Sequence, residues 1–229
     1  LILRASPGMT PSVISESLGV AHDGLDIKAA LSADSISSDD LMAGRWDGAR
    51  LEIFLFDWSD SGAGTRPLAC GELGAVSLSS EGFTAELLGP TRSLGRAVVP
   101  STSPDCRAQF CDRNCGLSRA RFTHRLRVTV DGHIVICEDV WPVAPENFVH
   151  GTLRWLEGKN CGLSVDIVAV FDASLELARS PHFPADEPVR VELVEGCDRR
   201  LETCASRFDN VVNFRGEPYL PGNDILTRY

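Results

Sequence analysis

Five cysteines fall in two short segments whose chemistry could be shared. The first segment reads Cys106-Arg-Ala-Gln-Phe-Cys111-Asp-Arg-Asn-Cys115-Gly-Leu, and the second Cys197-Asp-Arg-Arg-Leu-Glu-Thr-Cys204. Thiolates bind zinc and iron–sulfur clusters, and thiols also form disulfides or sit buried as inert groups. All three readings stand open from spacing alone. Thiolate zinc sites favour two Cys-x2–4-Cys knuckles. Only Cys111-x3-Cys115 approaches that pattern, because six residues separate Cys197 from Cys204. An iron–sulfur cluster is larger than one ion, tolerates irregular spacings and carries negative charge with its thiolates. Arg107, Arg113, Arg119, Arg199, Arg200 and Arg207 lie close in sequence to these cysteines and could compensate that charge.

The elements around the thiols constrain how they could meet. Residues 198–208 read as a short helix, in which positions 197 and 204 would lie about 10 Å apart along the axis at roughly 1.5 Å per residue. Two ligands of one site cannot both sit on such a helix. Cys197 is therefore expected in the loop ahead of it, curling back, with Cys204 inside. Cys106, Cys111 and Cys115 share a loop without helix or strand pattern. The closing stretch Asn213-Phe-Arg-Gly-Glu-Pro-Tyr-Leu-Pro-Gly-Asn-Asp224 can be neither helix nor regular sheet, and orders only if something fixes it. Cys70, Cys137 and Cys161 occupy strand or turn contexts and read as small buried hydrophobes.

The rest of the chain is mostly extended. Val13–Ser17 and Asp23–Ala30 read as strands around a Gly turn, and Ser37 with Asp40 forms an acidic capping box for a helix over Ser38–Ala43 that ends at Gly44. Ala49–Trp58 is the clearest strand. A hairpin follows over Leu68–Ser77 and Gly82–Leu88, then a short helix near Pro90–Arg96. Beyond the cysteine loop, Arg125–Thr129 and His133–Cys137 flank the Val130-Asp131-Gly132 turn. Phe148–Glu157 pairs with Leu163–Phe171 across Gly158-Lys159-Asn160, and Ser174–Ala178 and Val189–Glu195 supply two more strands. The fold class is mainly β, as two β-rich domains with few short helices and a C-terminal cap. The division is 1–104 and 105–229, and no internal repeat is visible. The two cysteine segments flank a β module over roughly 116–196, so a metal bound by both would staple its entry to its exit.

Composition narrows the function classes. The 229 residues, 43% of them hydrophobic, are enough for a sizeable core. The net charge of −10 argues against general nucleic-acid binding. No apolar run is long enough to span a bilayer, so no membrane insertion is expected. Leu1 is neither a Met nor the start of a signal peptide, and an N-terminally trimmed chain is expected. Eight cysteines are too sparse for a secreted disulfide scaffold. The six arginines from Arg107 to Arg127, with His124, could face DNA; charge compensation plus a solvated strand face is the preferred reading.

The residues also carry a family likeness. Gly196-Cys197-Asp198-Arg199-Arg200, Thr203-Cys204, Arg207-Phe208, Asn210, Asn213-Phe214-Arg215-Gly216, Pro218 and Pro221-Gly222-Asn223-Asp224 closely resemble the C-terminal signature of baseplate hub proteins. These belong to siphophage-like tails and gene transfer agents, with the lambda-type minor tail protein L as a more distant relative. Cys106 and Cys115 followed by Gly116-Leu117 resemble the same family's upstream element. Asp23–Ile27, Asp39-Asp40-Leu41, Trp46-Asp47-Gly48-Ala49, Leu51-Glu52-Ile53 and Asp57-Trp58 resemble its gene-transfer-agent branch. The likeness covers nearly the whole chain.

The resemblance implies a [4Fe–4S] cluster on Cys106, Cys115, Cys197 and Cys204, with Cys111 as a substitute ligand and zinc as the alternative metal. It implies a structural hub that is not an enzyme, located at the tail tip of a particle assembled in the bacterial cytoplasm. Residues 1–104 would form the ring-forming domain and 105–229 the cluster-closed module. Expected partners are the distal tail protein ring and a central tail-tip or fibre protein, with a cell-wall peptidase as a further neighbour. A homotrimer is expected, and DNA only as transiting cargo. Two enzymatic readings compete. A cysteine-dependent hydrolase finds no Gly-x-Ser-x-Gly motif, and His22, His124, His133, His150 and His182 converge on no nucleophile motif. A redox protein would need a cofactor fingerprint or partner site that the sequence lacks.

Overall fold

The computed structural model describes residues 9–12, 24–29, 36–60, 62–79, 82–89, 99–185 and 187–220. The chain divides into two compact units, Leu1–Val99 and Pro100–Tyr229.

The first unit is a five-stranded antiparallel sheet in the order β1-β2-β5-β4-β3, where β1 is Met9–Pro11, β2 Gly24–Ala29, β3 Arg50–Phe56, β4 Thr65–Ser79 and β5 Gly82–Leu88. One short helix, α1 (Ser38–Met42), precedes β3, and the Ser37 hydroxyl caps it by accepting from the Asp40 N–H at 3.1 Å. The chain leaves this helix through Gly44 at φ +77°, a left-handed turn that suits glycine. Ile36, Leu41, Leu73, Phe83 and Ala85 bury against one another, with Trp46 and Val76 packed beside them. The expected segments Val13–Ser17 and Pro90–Arg96 lie outside the described residues.

The second unit is built on a closed six-stranded antiparallel barrel, ordered β10-β7-β6-β11-β8-β9. Its strands are β6 Thr123–Asp131, β7 Ile134–Cys137, β8 Thr152–Trp155, β9 Ser164–Phe171, β10 Ser174–Leu177 and β11 Val189–Val194. Burial alternates along β8, β9 and β10, as a period of two requires of strands with one face inside a barrel. Val128, Val135, Phe148, Leu153, Leu175, Val191 and Leu193 are fully buried in that core. The strand expected from Phe148 begins only at Thr152, because Pro145–Phe148 forms a turn of 3-10 helix that drops the Phe148 ring into the barrel.

The barrel contains a repeat that the sequence hides. Exchanging β6-β7-β8 with β9-β10-β11 leaves every strand neighbour unchanged: β6 pairs β7 as β9 pairs β10, and β6 pairs β11 as β9 pairs β8. The two remaining contacts, β7 with β10 and β8 with β11, map onto themselves. The matching hairpin turns use different residues for the same left-handed backbone, Gly132 (φ +59°) in one and Asp172-Ala173 (φ +47° and +62°) in the other.

Candidate metal centre

The cap of the second unit consists of the loop 100–118 and residues 195–220, including a second helix, α2 (Leu201–Ser206). Cys197 sits in the loop before α2 and Cys204 within it, as the helix geometry required. Asp198 shapes this approach: its carboxylate accepts from the Arg200 N–H at 3.0 Å and the Thr203 hydroxyl at 2.8 Å. Arg199 lies at φ +65°, which turns the chain back so that Cys197 faces the helix side. In the other segment Asp112 plays the equivalent part. Its carboxylate accepts from the N–H groups of Gln109 (3.1 Å), Asn114 (2.8 Å) and Cys115 (2.7 Å), an Asx turn that presents Cys115.

The two segments are laced together by backbone. The Cys106 N–H donates to the Arg199 carbonyl at 2.9 Å, and the Arg107 N–H to the Arg215 carbonyl at 3.2 Å. Glu217 returns the tail to the loop, its N–H donating to the Ser103 carbonyl at 2.7 Å and its carboxylate gripping the Arg107 guanidinium at 2.5 and 2.6 Å. Gly216 makes this close approach possible, since a Cβ there would meet the Asp105 carbonyl oxygen at 2.7 Å. These contacts fasten the tail to the loop at Glu217, and Pro221–Asp224 lie outside the described residues.

Cys106, Cys115, Cys197 and Cys204 line a single recess with about 360 Å³ of empty space, part of it open to solvent. Ala108, Phe110, Leu117, Phe208 and Phe214 make most of the remaining wall apolar. Phe110, Phe122 and Phe208 back it as a packed triad, with ring centroids 4.9–5.5 Å apart. Three of the four sulfurs accept N–H groups: Cys197 from the Arg199 backbone (3.4 Å), Cys106 from the Arg215 backbone (3.3 Å) and Cys115 from the Asn210 amide (3.7 Å). Burial pushes the Cys197 and Cys204 thiols up, and the neighbouring site cysteines add to it. Among the described residues, no group of three or more His, Cys, Asp or Glu is gathered to hold a metal ion.

Cys111 does not line the recess. Its backbone is left-handed (φ +63°), and burial, with Cys115 beside it, pushes its thiol up to about 11. Cys70 and Cys161 correct the sequence reading, because both are exposed. Cys70 lies on β4 opposite Glu52, both exposed, and Cys161 sits in the β8–β9 turn with its thiol against the Leu156 carbonyl. Of the six arginines expected to balance a cluster, Arg199 and Arg200 line the recess. Arg107 is taken by Glu217. Arg207 donates to the Gly196 and Asn147 carbonyls, each at 3.0 Å, and to the Glu195 carboxylate.

That last network ties cap to barrel and was invisible in the sequence. Glu195, at the end of β11, is 6% exposed and also accepts from His124 on β6 at 2.9 Å. Its partners lie far away in sequence, so no local pattern marks them. Gly196, next in the chain, passes so close to the 149–151 backbone that a Cβ would strike the Val149 carbonyl.

The chain is mainly β, with an antiparallel sheet in its first unit and a six-stranded barrel under a thiol-lined cap in its second. The family described as "Baseplate hub protein, N-terminal attachment domain" matches residues 2–118, about half of the chain, and one described as "Phage conserved hypothetical protein BR0599" matches residues 146–224. A chain from the solved "Virion of native gene transfer agent (GTA) particle" is 30% identical, with a TM-score of 0.85 over 100% of this chain and 84% of that one. The protein belongs to the baseplate hub family of phage-like tails. A search of curated proteins found no match. No helix among the described residues is long and apolar enough to cross a membrane.

Proposed function

We propose that this chain is a structural, non-enzymatic hub joining the distal tail ring to a central tail-tip protein, with Cys106, Cys115, Cys197 and Cys204 holding a [4Fe–4S] cluster that closes its cap. The observation that carries the cluster is the grouping of those four thiols, from two distant segments, around one recess that excludes Cys111. The donor set suits the group. Backbone and amide N–H groups aimed at sulfur favour thiolates, and hydrogen bonds of this kind tune cluster potentials. A single zinc ion held by the same four thiols is the alternative metal. When bound, the cluster supplies four iron–thiolate bonds that cross-link the two segments. The chain's own residues already pre-shape the site through Asp112, Asp198 and the Cys106–Arg199 contact.

Family membership and the gene-transfer-agent likeness support the hub role. Leu55, Phe56 and Trp58, exposed at the end of β3 (Trp58 at 88%), supply apolar surface of the kind that partner proteins cover. In this reading the hub is trimeric, DNA passes as cargo, and a cell-wall peptidase is reached through the central tip protein. Anaerobic purification with iron, sulfide and zinc analysis tests the cluster. Iron with acid-labile sulfide in the wild type, both lost in Cys204→Ser, is expected; a colourless zinc protein rejects it. Co-purification with tail-ring and tip proteins tests the hub, and a solitary monomer with turnover on peptides or cell wall overturns it.

A further inference from the structure

One buried side chain reaches both cysteine segments at once. Asn210 is 7% exposed, and its backbone N–H donates to the Cys204 carbonyl at 3.1 Å. Its side-chain amide donates to the Cys115 carbonyl at 2.7 Å and toward the Cys115 sulfur at 3.7 Å, which uses both amide hydrogens. The amide orientation is fixed from the other side, because its oxygen accepts from the Asn213 amide at 2.7 Å. Asn213 in turn lies against Gly116, where a Cβ would come within 3.1 Å of its Nδ2. Gly116 is left-handed at φ +73°, so the chain folds tightly over this pair. Asp209, at φ +46°, turns the backbone so that Asn210 points back under α2.

We propose that Asn210 is the positioning residue of the thiol site: it fixes Cys115 relative to Cys204 and donates the side-chain N–H that tunes the Cys115 sulfur. This rests on the cluster reading above only for its second half, since the Cys115 carbonyl contact exists in the polypeptide alone. The other N–H···S contacts come from backbone and survive every side-chain change except proline, so Asn210 is the donor that a side-chain substitution removes. Asparagine suits the position because the carbonyl and sulfur both need donors while Asn213 needs an acceptor. Aspartate could serve only Asn213, and would set a negative charge against a sulfur.

The test compares wild type, Asn210→Ala and Asn210→Asp as full chains. In metal-free protein, mass spectrometry follows iodoacetamide labelling at each cysteine. Cys115 is expected to label several-fold faster in Asn210→Ala, with Cys137 in the barrel unchanged as a control for global unfolding. In protein purified anaerobically, the iron-loaded fraction is expected to lose iron to a chelator about 10- to 100-fold more readily in Asn210→Asp, the range for lost outer-shell partners. Asn210→Ala is expected to hold its iron at a more negative reduction potential. Unchanged Cys115 labelling overturns the positioning role even if iron is absent. Faster labelling with unchanged potential and iron loss overturns the tuning role. A wild type without iron rejects the cluster reading instead, and leaves the labelling result to decide the positioning role.

Discussion

Barrel and cap of the second unit are held by opposite means. The barrel encloses its own hydrophobic core, closes its edges by completing the ring of strands, and leaves few polar groups inside. The cap has two short helical turns, a fan of phenylalanines and a lattice of side-chain-to-backbone bonds from Asp112, Asp198, Asn210 and Glu217. Such contacts fix geometry well but each adds only about 1 kcal/mol net. The comparison separates a region held by apolar burial from one held by polar contacts.

The largest effect is expected from the barrel. Phe148→Ala empties a fully buried site and should cost about 3–5 kcal/mol. Chemical denaturation followed by fluorescence of Trp141 and Trp155 measures this, and a loss below about 1 kcal/mol would deny that the barrel is core-driven. Next comes the joint between the regions. Arg207→Met leaves the Glu195 carboxylate buried against His124 without its guanidinium. Breaking one side of a buried pair costs about 3–5 kcal/mol, and the partial exposure of Arg207 puts this one at the low end. A variant at wild-type stability would show that the two regions are independent.

The smallest effect concerns pH. The Arg107 guanidinium, with the Ser103 N–H, holds the Glu217 carboxyl down at about 2 against an ordinary 4.5. A carboxylate with a lowered folded pKa stabilises above its unfolded value and loses that contribution as pH falls through the folded one. The tail contact should therefore persist above about pH 4.5 and loosen progressively toward pH 2, while the barrel keeps its protection. Amide exchange at Glu217 and Arg107 across that range checks it. Glu217→Gln should weaken the pH response without touching the barrel.

Much of this was legible in the sequence. The Asp131-Gly132 turn, the alternation in Ser164–Phe171 and the Ser37 cap all encode local geometry, and the elements formed there. The placement of Cys197 before α2 and Cys204 within it followed from helix rise together with the premise that both thiols share one site. The closure of the barrel did not, because it depends on β7 meeting β10 and β6 meeting β11 across long separations. The internal repeat escaped because its halves share topology while Gly132 and Asp172-Ala173 make the same turn with different residues. Asn210, Glu195 and Arg207 escaped because their roles exist only through partners distant in sequence. The exposure of Cys70 and Cys161 escaped because a strand or turn context leaves the facing direction undetermined.

Hydrogen exchange of the full chain, iron-loaded and after anaerobic chelation, tests the division between the two regions most directly. Amides of residues 106–117 and 197–217 should lose protection on chelation while those of β6 to β11 keep theirs. Equal protection before and after, or loss spread evenly through the barrel, would contradict the claim that bound metal orders the cap and the hydrophobic core orders the barrel.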